Sequence, residues 1–217
     1  MHAFAKKYLE LLNGPLKGLN LTSITDEDEF FKKQILDSLA PIEHSQFFSK
    51  ALQKSSVLVD VGFGGGFPLL PLALKYPQIK CVGIEARAKK AEAVKFIAQE
   101  CGIHNVRTWH LRLEELVIDV PCAVTFKAVG SIADLLNKIN ATANTYAFFY
   151  KGPNLDELEG PGMIKPPYKL SERIKYDLEG TDGRTFVTIH FVPRGTRPTQ
   201  KGGDKALVKL SELLLLF

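Results

Sequence analysis

The sequence predicts an α/β protein with a mostly parallel, doubly wound sheet of seven strands, a helical cap before it and an antiparallel hairpin at its C-terminal edge. Three observations carry that expectation. Val57–Pro71 reads VLVDVGFGGGFPLLP, an apolar strand that runs into a glycine turn and then an apolar helix. Short apolar runs then alternate with helical patterns as far as residue 150. Beyond them, YKLSERIKYDL and GRTFVTIHFV alternate on either side of a turn at Gly180–Gly183, the pattern of a hairpin.

Residues 3–12 set Phe4, Leu9, Leu11 and Leu12 among lysines, an amphipathic helix that Gly14 and Pro15 end. LNLTSI (19–24) reads as a loop. Acidic Asp26–Glu29 then lead into FFKKQILDSLAPI, where carboxylates favour the positive end of a helix and Phe30, Phe31, Ile35 and Leu39 recur at helical intervals. A helical cap is therefore expected over 1–54, within the same compact unit as the sheet. The core is placed at 55–193, with strands at 56–61, 79–85, 105–110, 122–129 and 145–150 and helices at 67–75, 87–101 and 131–140. The remainder is 194–217, whose loop as far as Lys209 sets Arg194, Arg197, Lys201, Lys205 and Lys209 against Asp204 alone, suited to phosphate contact or to a solvated tail. Its last residues, LSELLLLF, read as a closing helix or a self-association segment.

At 217 residues the chain can fill one core, and 45% apolar with 24% charged residues marks a folded protein. A net charge of +4 leans toward an anionic partner. Cys81, Cys101 and Cys122 form no CxxC pair, and Cys81 and Cys122, in apolar strand-like runs, read as small core hydrophobes, so no metal site is expected. The first residues lack the apolar core of a signal peptide, and no stretch approaches the roughly 20 apolar residues of a membrane span. A cytoplasmic protein, without a membrane partner and monomeric, is the expectation.

Two cofactor classes use a glycine turn after the first strand. A dinucleotide fingerprint wants GxGxxG; Gly62 and Gly64 fit, but Phe67 stands at the third position, where glycine permits close helix–strand packing. S-adenosylmethionine carries no phosphate, so its loop needs glycines for close approach and an acid beside them, which Asp60 supplies. Glu85, at the end of the second strand, is placed to accept both ribose hydroxyls. That carboxylate would serve NAD equally well, so it does not separate the two. His2, His44, His104, His110 and His190 form no catalytic constellation.

DVGFGGGFPLLPLAL, preceded by NLTSI and KKQILDSLA and followed by EARAKKAEAVKFI, HLRLEEL, FKAVGSIADLL, FFYKGPNLDEL and GRTFVTIHFVPR, resembles the glucose-inhibited division protein B family over roughly residues 5–197. The resemblance implies a class I S-adenosylmethionine-dependent methyltransferase, Rossmann-like in fold. Its expected reaction places a methyl on N7 of a guanine in small-subunit (16S) ribosomal RNA and leaves S-adenosylhomocysteine; RNA or the ribosomal subunit would be its partner. It further implies that Asp60, Gly62, Gly64 and Gly66 line the methionine side, that Glu85 holds the ribose, with Ala86 next to it among the cofactor-binding residues, and that Leu113, Glu114 and Glu115 edge the adenine. Phe63 and Phe67, beside the glycines, read first as core residues and, as the alternative, as cofactor-binding residues that pack under the cofactor or stack on the base. Lys127, beside the cofactor, joins Lys151, Arg184 and Asn20 as the expected catalytic set, donating to guanine O6 or to phosphates. Lys89, Lys90 and Asp37 also match family positions. The chain departs from the family pattern at Phe63 (usually serine), Leu69 (glycine), Gln34 (histidine) and Lys127 (arginine). Alternatives are a methyltransferase for a small molecule and an RNA-binding relative without turnover. On this reading Asp60→Ala abolishes cofactor binding and Lys151→Ala spares it.

Overall fold

A computed structural model describes residues 1–159, 164, 166–181, 183–191 and 206–217. Arg194, Arg197, Lys201, Asp204 and Lys205 of the expected basic strip, and most of the proline-rich stretch at 161–165, lie outside the described residues.

The cap is helical. Helix α1 (His2–Asn13) buries Phe4, Tyr8, Leu9 and Leu11. The single helix expected after Asp26 is three segments: α2 (Glu27–Phe30), a π-helical turn (Phe31–Leu36) and α3 (Asp37–His44). Asp26 starts it by accepting from the Glu29 amide at 2.8 Å, which satisfies one of the free donors of a first turn. The wider turn lets Phe30, Ile35 and Asp37 all point inward. Helix α4 (Gln46–Ser55) follows, capped by Ser45 Oγ, which accepts from the Phe48 amide at 3.1 Å.

Strand β1 (Val57–Val61) opens the core and is buried along its whole length, as a central parallel strand covered on both faces should be. Then come α5 (Leu69–Lys75), β2 (Lys80–Glu85), α6 (Ala88–Glu100) and β3 (Val106–His110). A 3₁₀ turn (Leu113–Glu115) leads to β4 (Leu116–Ile118), β5 (Cys122–Lys127), α7 (Ile132–Lys138), β6 (Asn140–Ala141) and β7 (Thr145–Lys151). A one-turn helix α8 (Leu155–Leu158) precedes the hairpin β8 (Tyr168–Tyr176) and β9 (Arg184–Phe191), and the chain closes with β10 (Val208–Lys209) and α9 (Leu210–Leu214).

The main sheet runs β3-β2-β1-β5-β7-β9-β8, parallel through β7 and antiparallel for the last two strands. The second strand of the hairpin is inserted beside β7, which leaves polar β8 as the edge. Alternation along the strands divides the core between two faces. Leu58, Phe148 and Phe186 meet the cap and α6, whereas Val59, Val61, Val124 and Phe126 meet α7 and α9. Two features depart from expectation. The predicted strand 122–129 stops at Lys127, because Ala128 takes φ 56° and Gly130 φ 44°. A second, three-stranded parallel sheet, β10-β4-β6, is absent from the sequence reading; strands of two or three residues carry too little periodicity to read. The apolar C-terminus packs as a helix, with Leu210 and Leu213 buried and Ser211 bonded through its amide and hydroxyl to Asp119 at 2.9 and 2.5 Å.

Candidate active site

Open parallel sheets bind ligands beyond the carboxyl ends of the strands, where the strand order reverses. Here the order reverses at β1, between β2 and β5, and a cleft of about 560 Å³ opens there. The glycine turn forms its floor. Gly62 donates to Ile84 O at 2.8 Å in a left-handed conformation (φ 66°), and a Cβ there would sit 2.9 Å from Val129 Cγ2. Gly65 is held from behind by the cap: the buried Tyr8 hydroxyl donates to its carbonyl at 2.7 Å, and a Cβ would lie 2.7 Å from Leu21 O. Gly64 lines the cleft, whereas Gly66 lies behind the turn against Leu70 and Val94 and does not.

Asp60, expected on the methionine side, lies beneath the glycine turn. Asp60 is fully buried and absent from the cleft wall. Its carboxylate accepts from the Leu69 amide at 3.0 Å and from Thr125 Oγ at 2.8 Å, joining the start of α5 to β5 beneath the turn. Burial pushes its pKa up to about 7, against the pull of those two hydrogen bonds and of Lys127. Asp60 therefore shapes the glycine turn from below.

Glu85 does line the cleft. Its Oε2 accepts from the Gly64 amide at 3.1 Å and its Oε1 from the Arg87 amide at 3.0 Å, which fixes the carboxylate and leaves each oxygen a second lone pair. Ala86, Leu113 and Glu114 continue this wall, Glu114 tied to Lys138 at 3.1 Å. Phe63 and Phe67 touch the cleft yet are nearly fully buried. The Phe63 ring lies over Gly83, where a Cβ would come within 2.7 Å of it, and Phe67 packs against Tyr8 and Phe30 at centroid distances of 5.3 and 5.4 Å. These rings serve the core.

Of the four residues expected to be catalytic, only Lys127 faces the cleft. Its ammonium sits 3.0 Å from Asp37 Oδ2 and donates to Gln34 Oε1 at 3.4 Å. Arg184 binds the other oxygen of Asp37 (Nε to Oδ1, 2.6 Å) and lies outside the cleft lining. Lys151 points elsewhere. Its Nζ donates to Gly130 O at 2.8 Å and pairs with Glu159 Oε1 at 2.5 Å, while Glu159 Oε2 accepts from the Ile132 amide at 2.6 Å. It braces the bent segment after β5. Asn20 is not part of the cleft lining, which its neighbour Leu21 reaches instead.

Sequence reasoning does not single out Arg87 or Arg112 and marks Gln34 only as a departure from the family pattern, yet all three line the cleft with Lys90. Arg87 and Arg112 each lie two residues past a strand end, a spacing that could have found them. Gln34 carries no such signal, because the π turn brings it inward. Among the described residues, no group of three or more His, Cys, Asp or Glu is arranged to hold a metal.

The fold is that of class I S-adenosylmethionine-dependent methyltransferases. It matches the crystal structure of a SAM-dependent methyltransferase from Aquifex aeolicus (13% identity, TM-score 0.50, covering 72% of this chain and 92% of that one) and that of WbdD (18% identity, TM-score 0.55, 82% and 46%). At such identities the likeness establishes the fold alone. Residues 1–160 match the GidB family, described as rRNA small subunit methyltransferase G, and the chain belongs to that family. Relatives named ribosomal RNA small subunit methyltransferase G include one from Streptococcus thermophilus, 34% identical over 128 residues (59% of this chain, 52% of the relative). Another, from Leuconostoc citreum, is 38% identical over 112 residues (51% and 45%). The chain spans about half the length of the curated relatives it matches.

Proposed function

We propose that this chain transfers a methyl group from S-adenosylmethionine to N7 of a guanine in 16S ribosomal RNA of the small subunit, with S-adenosylhomocysteine as the other product. The carrying observation is the cleft at the sheet's reversal point, with Glu85 locked against the glycine turn on one side and Lys127 held over the cleft on the other. Family membership and the names of the relatives supply the RNA target.

The residues fit the cofactor. Gly62 and Gly64 allow backbone to approach an amino-acid moiety closely, Glu85 keeps lone pairs for ribose hydroxyls, and Leu113 with Glu114 offers an apolar edge and an acceptor for an adenine. When bound, S-adenosylmethionine supplies a methyl group on a positively charged sulfur. What the chain itself contributes is alignment, because guanine N7 presents an in-plane lone pair and has no proton to remove. No general base is required, in keeping with a cleft that no histidine lines among the described residues. Arg87, Lys90 and Arg112 at the rim suit a polyanion better than a small neutral substrate. An exposed, unstacked nucleotide is the expected acceptor.

On this reading the protein works in the cytoplasm as a monomer; no helix among the described residues is long and apolar enough to cross a membrane. The test incubates the protein with labelled cofactor and small ribosomal subunits, or their RNA, that lack the modification, and maps the label. A single N7-methylguanine is expected. Label on no RNA, or at another atom, overturns the proposal.

A further inference from the structure

The Gln34 amide is oriented by a neighbouring cation at the cleft. It lines the cleft from the π turn of the cap, and its Oε1 accepts from Lys127 Nζ at 3.4 Å. An ammonium has only donors, so the oxygen end of the Gln34 amide must face it, which settles the orientation of a group whose two ends are otherwise interchangeable. The Nε2 end then turns away from Lys127, and among the described residues nothing accepts from it. Lys127 is itself restrained. Asp37, 3% exposed, holds it at 3.0 Å and gives its other oxygen to Arg184 at 2.6 Å.

We propose that Gln34 is a specificity-determining residue, whose amide N–H donates to O6 of the acceptor guanine while N7 stays free for methyl transfer. The chemistry favours guanine. Beside N7, guanine presents an acceptor at O6, whereas adenine presents an amino donor at N6, and a donor-only group in the cleft accepts nothing from it. Lys127 and Asp37 act here as positioning residues: they set the amide's direction. The inference rests on the guanine-N7 reading above and adds the side chain that reads the base.

The test replaces Gln34 with Glu and, separately, with Met, and measures single-turnover methyl transfer to small-subunit RNA that lacks the modification, alongside S-adenosylhomocysteine affinity by calorimetry. Gln34→Glu is decisive because a carboxylate is a better partner for Lys127 but has no N–H. If Gln34 merely steadied Lys127, the Glu variant would match the wild type. If it donates to O6, the rate falls by about tenfold or more in both variants, as expected for a lost hydrogen bond in a desolvated site, with cofactor affinity kept within about twofold. Unchanged rates in either variant, or a parallel loss of cofactor affinity, overturn the assignment. A wild type that methylates no guanine overturns the reading beneath it instead, so the two failures are distinct.

Discussion

Asp60 shows how a residue's type and its neighbours in the chain leave its role open. An acid next to a glycine turn suggests a ligand contact, yet its carboxylate is spent on the Leu69 amide and Thr125 inside the protein. Its ordinary pKa of 3.8 is pushed to about 7 by burial. Between those values the folded state keeps a proton that the unfolded state releases. The contribution of Asp60 to stability is therefore full below pH 3.8 and is lost as pH rises through about 7. Asp60→Asn, neutral throughout, should lose less stability than the wild type between about pH 4 and pH 7 in urea titrations; parallel curves would refute the assignment. Lys151, whose sequence position suggests an RNA contact, instead pairs with Glu159, both side chains largely buried. Lys151→Met strands that carboxylate and should cost about 3 kcal/mol of stability in denaturant unfolding. It should also weaken S-adenosylhomocysteine binding, since the braced segment carries Ala128 and Val129 of the cleft wall.

At the scale of elements, the cap is part of the site. Tyr8 of α1 supports Gly65, Phe30 of α2 packs on Phe67, and the π turn delivers Gln34 to the cleft and Asp37 to Lys127. Tyr8→Phe leaves the buried Gly65 carbonyl without its donor and should cost about 1–3 kcal/mol. Phe30→Ala opens a void under the turn and should cost about 3–5 kcal/mol. Thermal unfolding and cofactor titration should show both losses together; a cap that loosens without affecting cofactor affinity would separate the two. The helices and strands from 57 to 151 are legible in the sequence because strand runs and helical spacing repeat strongly there. The π turn is not: a helical hydrophobic pattern looks the same whether or not one turn is widened.

For the whole molecule, charge is the quantity that matters. The net charge of +4 is modest, but Arg87, Lys90 and Arg112 gather around the cleft. With these meeting about three phosphates, RNA affinity should fall roughly 20-fold between 50 and 200 mM salt, whereas cofactor affinity stays nearly constant. Filter binding and calorimetry over that range would check it, and an RNA affinity indifferent to salt would remove the basic rim from the account.

The amino-acid sequence by itself determined the α/β class, the glycine turn, Glu85 at the end of the second strand, and the family, because these rest on local periodicity and on short ordered motifs. Only the tertiary structure decided which charged side chains face the cleft. Lys127, Lys151 and Arg184 look alike in sequence, but a buried charge goes to whichever opposite charge the fold brings within reach. Asp37 holds Lys127 at the cleft and Arg184 behind it, while Glu159 draws Lys151 away. Asp37 lies 90 residues from Lys127 and 147 from Arg184, and Glu159 lies 8 from Lys151, so nothing in the neighbouring chain could announce the longer pairings.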